Sequence, residues 1–93
     1  MADNSKNLDV LLGMARVSKG ENALKMWRSI ASRTKQQTDA WFEAKYNVAQ
    51  LLHESGKSSE ASKMLKYIKA VPPGWKNSDL KDGFERLLRE SSR

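Results

Sequence analysis

One phrase of this chain is written twice. ALKMWRSI, residues 23 to 30, returns 38 residues later as ASKMLKYI, residues 61 to 68, with the alanine, the Lys-Met pair and the isoleucine in register. Both copies place one small and two large apolar residues on one helix face: Ala23, Trp27, Ile30 and Ala61, Leu65, Ile68. Upstream, Gly13 and Gly20 lie seven residues apart, as do Ala49 and Gly56. The repeated unit is therefore predicted to be a pair of helices in which a small residue permits a close crossing.

Apolar residues elsewhere also recur at intervals of three and four, which is typical of amphipathic helices, and no stretch alternates as a strand does. Gly20 and Gly56 are predicted to stop the first and third helices, because glycine adopts the left-handed conformation without steric cost. Pro72 and Pro73 cannot continue the fourth helix. The sequence predicts an all-α fold of five short helices with short connections, which makes consecutive helices antiparallel neighbours.

The second copy, WFEAKYNVAQLLHESGKSSEASKMLKYIKAVPP, resembles the tetratricopeptide repeat, a pair of antiparallel helices of about 34 residues. The residues that match the family's pattern are Val48, Ala49, Ala61, Leu65 and Pro73. Three positions depart from it: Lys45 stands at the family's tryptophan, Leu52 at its tyrosine and Ile68 at its small second-helix residue. The first copy is more degenerate, with a shortened turn and extra residues before Trp41.

The resemblance implies a short right-handed solenoid of two stacked helix hairpins and a C-terminal capping helix. Residues 1–93 are then a single domain, with a degenerate repeat at 7–35, a repeat at 39–73 and the capping helix at 78–91. Such arrays normally need about three repeats to bury a continuous core. Three possibilities stay open: a complete chain of moderate stability, a piece of a longer array, or a chain that self-associates through its first helix.

The sequence argues against an enzyme. His53 is the only histidine and there is no cysteine, so a metal site or a nucleophile with its base lacks partners. No glycine-rich phosphate-binding loop is present. We therefore expect neither catalytic residues nor a cofactor. The absence of cysteine fits a reducing compartment. No apolar run approaches the roughly 18 residues of a membrane span, so a cytoplasmic protein without a membrane partner is expected.

A protein or peptide partner is the main functional prediction. In the family this chain resembles, the first helix of each repeat forms a concave surface that receives the partner. Carried onto this sequence, that surface comprises Asn7, Val10, Met14, Val17, Glu43, Tyr46, Gln50 and His53. The alternative is that Val10, Met14 and Val17 pack against the second or third helix. Trp75 is expected to fold back on the core rather than serve as an exposed anchor.

The second functional prediction is nonspecific nucleic-acid binding. The formal net charge is +6, and a basic surface is predicted along helix four, with Tyr67 or Trp75 able to stack on a base. The lysines of this surface are Lys57, Lys63, Lys66, Lys69 and Lys76. Such binding would weaken steeply with salt. A lysine-rich surface that only maintains solubility explains the same charge.

Overall fold

The chain folds into five α-helices in a computed structural model that describes residues 4–36, 38–71, 74–76 and 78–92, with side chains from residue 10 onward. The helices are α1 (Asn4–Val17), α2 (Gly20–Arg33), α3 (Asp39–Glu54), α4 (Ser58–Ala70) and α5 (Lys81–Ser91). Within these ranges there is no β-strand, which confirms the all-α prediction. None of the helices described is long and apolar enough to cross a membrane.

The sequence predicts Gly20 and Gly56 as helix stops. Gly56 follows the end of α3, whereas Gly20 is the first residue of α2 and lies three residues beyond the end of α1 at Val17. Gly20 has a φ of 64° and Gly56 a φ of 87°. At the end of α3, the Lys57 N–H donates to the Leu52 carbonyl at 2.8 Å and the Gly56 N–H to the His53 carbonyl at 3.2 Å. These two bonds satisfy carbonyls that the end of a helix would otherwise leave unpaired. The chain can therefore turn within a few residues from α3 into α4.

Each helix packs against the next one along the chain, and α5 lies against both α3 and α4. The predicted face of each repeated phrase is buried: Ala23, Trp27 and Ile30 in α2, and Ala61, Leu65 and Ile68 in α4. Ala44 and Ala49 of α3 are also fully buried. Small residues of α3 thus lie wholly inside the fold. Pro73, the predicted last residue of the repeat, lies outside the described residues.

Trp75 packs the connection between α4 and α5 against the core. Its side chain is 2% exposed, and its ring stacks parallel to that of Phe84 with centroids 4.8 Å apart. The indole Nε1–H donates to Glu85 Oε2 at 2.8 Å, and this hydrogen bond is the main cause that lowers the pKa of Glu85. The expectation that Trp75 folds back on the core is confirmed.

Candidate functional site

An exposed apolar stripe runs along α1. Val10, Met14 and Val17 are 61%, 46% and 80% exposed. Because they are spaced by four and three residues, they share one helix face, while Ala15 on the other side of α1 is buried. The alternative that these residues pack against α2 or α3 is therefore wrong. Asn7 shares the register of the α1 stripe, but its side chain lies outside the described residues.

Glu43 of α3 is tied to α1. The Nε and Nη2 groups of Arg16 donate to its two carboxylate oxygens, each at 2.9 Å. Asn47 lies one turn on and donates from Nδ2 to the Glu43 carbonyl at 2.8 Å. The two-pronged geometry fixes how the end of α1 lies beside α3, although a pair at the surface contributes no more than about 1 kcal/mol. Glu43 therefore helps to orient α1 relative to α3, and it also lies beside a groove between these helices.

That groove, the α1–α3 groove, has a volume of about 400 Å³ and is bounded by the end of α1, the start of α2 and one side of α3. Its polar lining includes Arg16, Glu43, Asn47, Gln50 and Glu54. Gln50 also lies near Glu54, with Nε2 and Oε2 3.5 Å apart. Glu43 and Gln50, two of the predicted concave residues, both line this groove. Asn47 and Glu54 were missed in the sequence, although they lie one turn from these two residues.

Tyr46 and His53 lie toward the α5 side. The Tyr46 ring meets Phe84 edge to face with centroids 5.4 Å apart, and His53 Nδ1 lies 2.9 Å from the Ser58 hydroxyl oxygen across the α3–α4 turn. Both side chains line a cleft of about 240 Å³ against α5. They are partly buried and engaged within the fold. The seven predicted concave residues whose side chains are described consequently fall on the α1 stripe, the α1–α3 groove and this cleft, with Gln50 lining both the groove and the cleft.

The five lysines of the predicted basic surface are all exposed: Lys57, Lys63, Lys66, Lys69 and Lys76. Lys69 is directed toward α5, where its Nζ lies 3.4 Å from Glu85 Oε1 and 6.0 Å from the Trp75 ring centroid. In α4, Lys63 lies one turn before Tyr67 and Lys66 directly precedes it; the Tyr67 side chain is 69% exposed. Trp75 is buried and offers no face to a base.

Comparison with known proteins adds no relative: no family model matches this chain, and neither a curated protein nor a solved structure gives a significant match. Among the described residues there is also no group of three histidine, cysteine or acidic side chains that could hold a metal ion.

Proposed function

We propose that this chain is a non-enzymatic protein-binding module in which two antiparallel hairpins, α1–α2 and α3–α4, stack in the right-handed manner of tetratricopeptide repeats and α5 caps the stack. The order of helix contacts and the fully buried Ala44 and Ala49 of α3 support this arrangement. A cytoplasmic location belongs to the same proposal, on the ground of the cysteine-free sequence.

The observation that carries the proposal is the α1 stripe. The other helices turn most of their large apolar side chains inward, whereas Val10, Met14 and Val17 lie open to solvent in one row. A row of this kind beside a polar groove is typical of a helix-binding surface, in which apolar anchors recur at helical spacing. A partner that lies along α1 would cover the stripe and reach Gln50 or Glu54 in the α1–α3 groove.

The test uses two charge substitutions at exposed positions. Val17→Glu introduces a carboxylate in the stripe, and Asn22→Glu introduces the same group on α2 outside it. Proteins captured from a nuclease-treated lysate by the wild-type chain are identified, produced in pure form and titrated against all three chains by calorimetry. We expect Val17→Glu to weaken a genuine partner by about tenfold or more and Asn22→Glu to change little. Equal affinity for the two variants, for every purified candidate, would overturn the proposal.

Nonspecific nucleic-acid binding through α4 is the second candidate, favoured by the exposed Tyr67 beside Lys63 and Lys66. Its signature would be capture that disappears with nuclease and an affinity that falls steeply with salt. The Val17→Glu change should then have little effect, whereas joint replacement of Lys63 and Lys66 by glutamine should abolish capture.

A further inference from the structure

The net charge of this chain resides in two segments. Residues 20–36, which form α2 and the turn after it, carry four basic residues and one acidic residue. Residues 57–71, which form α4 with its flanking turns, do the same. Each segment has a net charge of +3, so together they account for the whole formal charge of +6, and the remaining residues sum to zero. The basic residues concerned are Lys25, Arg28, Arg33, Lys35, Lys57, Lys63, Lys66 and Lys69.

These two basic segments flank one groove. The α2–α4 groove has a volume of about 420 Å³. Its floor is a face of α3, one wall is α2 and the turn after it, and the other wall is α4. The residues that matter here are Trp41, Lys45 and Val48 in the floor, Arg28 and Ala31 on one side, and Met64 and Tyr67 on the other.

Two cations lie together in the α2–α4 groove without an acidic partner. Lys45 Nζ lies 5.6 Å above the centroid of the Trp41 ring, and Arg28 lies on the wall beside it. Neither forms an ion pair with a described carboxylate; the ion pairs of the described residues include Arg16–Glu43 and Lys69–Glu85, both outside this groove. Burial, and secondarily the charge of Arg28, lower the pKa of Lys45. The charge of the exposed Arg28 therefore opposes that of a partly buried Lys45.

We propose that the α2–α4 groove binds an acidic segment of a partner protein, with a carboxylate seated between Arg28 and Lys45 and a neighbouring apolar side chain seated on Ala31, Val48 and Met64. A carboxylate can accept two parallel hydrogen bonds from Arg28 while Lys45 supplies a point charge. The more distant lysines of α4 would raise the rate of encounter with an acidic chain.

This site is separate from the surface of the proposed function. Trp41, Lys45 and Val48 are each offset by two residues from Glu43, Asn47 and Gln50 of the α1–α3 groove. Two residues along an α-helix correspond to a rotation of roughly 200°. The two grooves thus lie on nearly opposite sides of α3, so both can be occupied at once.

The lining of the α2–α4 groove favours a protein segment over single-stranded nucleic acid. Nucleic-acid grooves of this kind use aromatic faces on which successive bases stack. Here the buried Trp41 ring already has Lys45 over it, and Tyr67 is the remaining exposed aromatic residue of the lining. Ala31, Val48 and Met64 present aliphatic carbon instead. An aliphatic surface next to two cations complements a leucine beside a glutamate.

The experiment titrates the chain with a fluorescein-labelled amphipathic peptide of about twelve residues that contains only glutamate and leucine. A second peptide has every glutamate replaced by glutamine, and a uridine oligonucleotide of similar length provides the nucleic-acid comparison. Binding is followed by fluorescence anisotropy at low and moderate salt. The Arg28→Gln variant removes a groove cation, whereas Arg33→Gln removes the same charge from the same helix at an exposed position outside the groove lining.

We expect the acidic peptide to bind, the glutamine peptide to bind at least about tenfold more weakly, and Arg28→Gln to weaken the acidic peptide by about tenfold. Arg33→Gln should change its affinity by less than about twofold. In wild-type chain the Trp41 indole N–H resonance should shift on titration, which places the peptide in the groove without any substitution. Equal losses in the two variants, an unmoved Trp41 resonance, or tighter binding of the oligonucleotide would each overturn the proposal. If the acidic peptide does not bind while Val17→Glu still weakens a protein partner, this proposal fails and the proposed function stands.

Discussion

Two glycines inside helices provide a matched test of how α5 packs. Gly13 lies within α1 and Gly83 within α5. A methyl group added at Gly13 would have no described atom within 4 Å beyond the two neighbouring residues and the helix's own backbone. One added at Gly83 would lie 3.0 Å from Tyr46 Cε1 and 3.3 Å from both Cζ and the hydroxyl oxygen. The same change of glycine to alanine therefore meets open space in one helix and an aromatic ring in the other.

The expected free energies follow from these distances. Alanine is favoured over glycine in a helix interior by about 1 kcal/mol. Gly13→Ala should realise most of that gain. At Gly83 the Tyr46 ring must move by a few tenths of an ångström, which disturbs its edge-to-face contact with Phe84. Overpacking of this kind costs roughly 1 to 3 kcal/mol. We expect Gly83→Ala to be less favourable than Gly13→Ala by at least about 1 kcal/mol.

The assay is urea unfolding followed by far-ultraviolet circular dichroism, in wild-type and Tyr46→Ala backgrounds. Removal of the ring should close most of the gap between the two substitutions. Alanine should still gain somewhat less at Gly83, the third residue of α5, than at Gly13 in the interior of α1. Gains of equal size in the wild-type background would refute the packing of Tyr46 beneath α5. A gap of unchanged size in Tyr46→Ala would show that something other than the ring opposes the new methyl group.

Three further changes test the core and the α2–α4 groove. Trp75→Phe removes the hydrogen bond to Glu85 and should destabilise by roughly 1 to 3 kcal/mol in urea. The pKa of Glu85 is lowered in the folded state, so its contribution to the free energy of unfolding is complete above the ordinary value of 4.5 and is lost as pH falls through the folded pKa. The free energy of unfolding of the variant should therefore depend less on pH in that range. Ala61→Leu should overpack the α3–α4 contact and lower the free energy of unfolding by roughly 1 to 3 kcal/mol. Ala70→Leu, at an exposed position of the same helix, should change it little. Equal melting temperatures for the two variants would contradict a close approach of the helices at Ala61. Lys45→Met should raise the melting temperature slightly at neutral pH, since the folded state disfavours the charged amine. Wild type should become more stable as pH rises from the lowered pKa of Lys45 toward 10.5, and the variant should lack this gain. A lower melting temperature in the variant at neutral pH would contradict that reasoning.

The helical organisation could be predicted from the sequence because it depends on local signals. Apolar residues at three- and four-residue intervals mark the helices, and Gly56 marks the turn at the end of α3. The repeated phrase adds information about packing, since Ala61 is buried where a small residue was predicted. Trp75 could be anticipated as well, because a large apolar ring in a short turn has a core immediately beside it.

The candidate sites were less predictable because they depend on contacts between distant residues. Tyr46 was predicted as a partner contact, yet Phe84 of α5 lies against its ring. Helical periodicity places Tyr46 on a face of α3 but does not say which helix covers that face. Val10 and Met14 show the same difficulty in reverse, because their spacing fits a buried stripe or an exposed one equally well. Only the position of α2 relative to α1 separates the two.

Lys45 shows how a departure from a packing pattern can indicate function. It stands where the tetratricopeptide pattern has tryptophan, and a tryptophan there would fill the α2–α4 groove with its own ring. A lysine keeps the groove open but places a partly buried charge beside Arg28, which opposes folding. Native sequences accept such local conflicts mainly at functional sites. Because an anion bound in the groove would relieve the repulsion between the two cations, the residue that weakens the fold is also the one expected to strengthen binding.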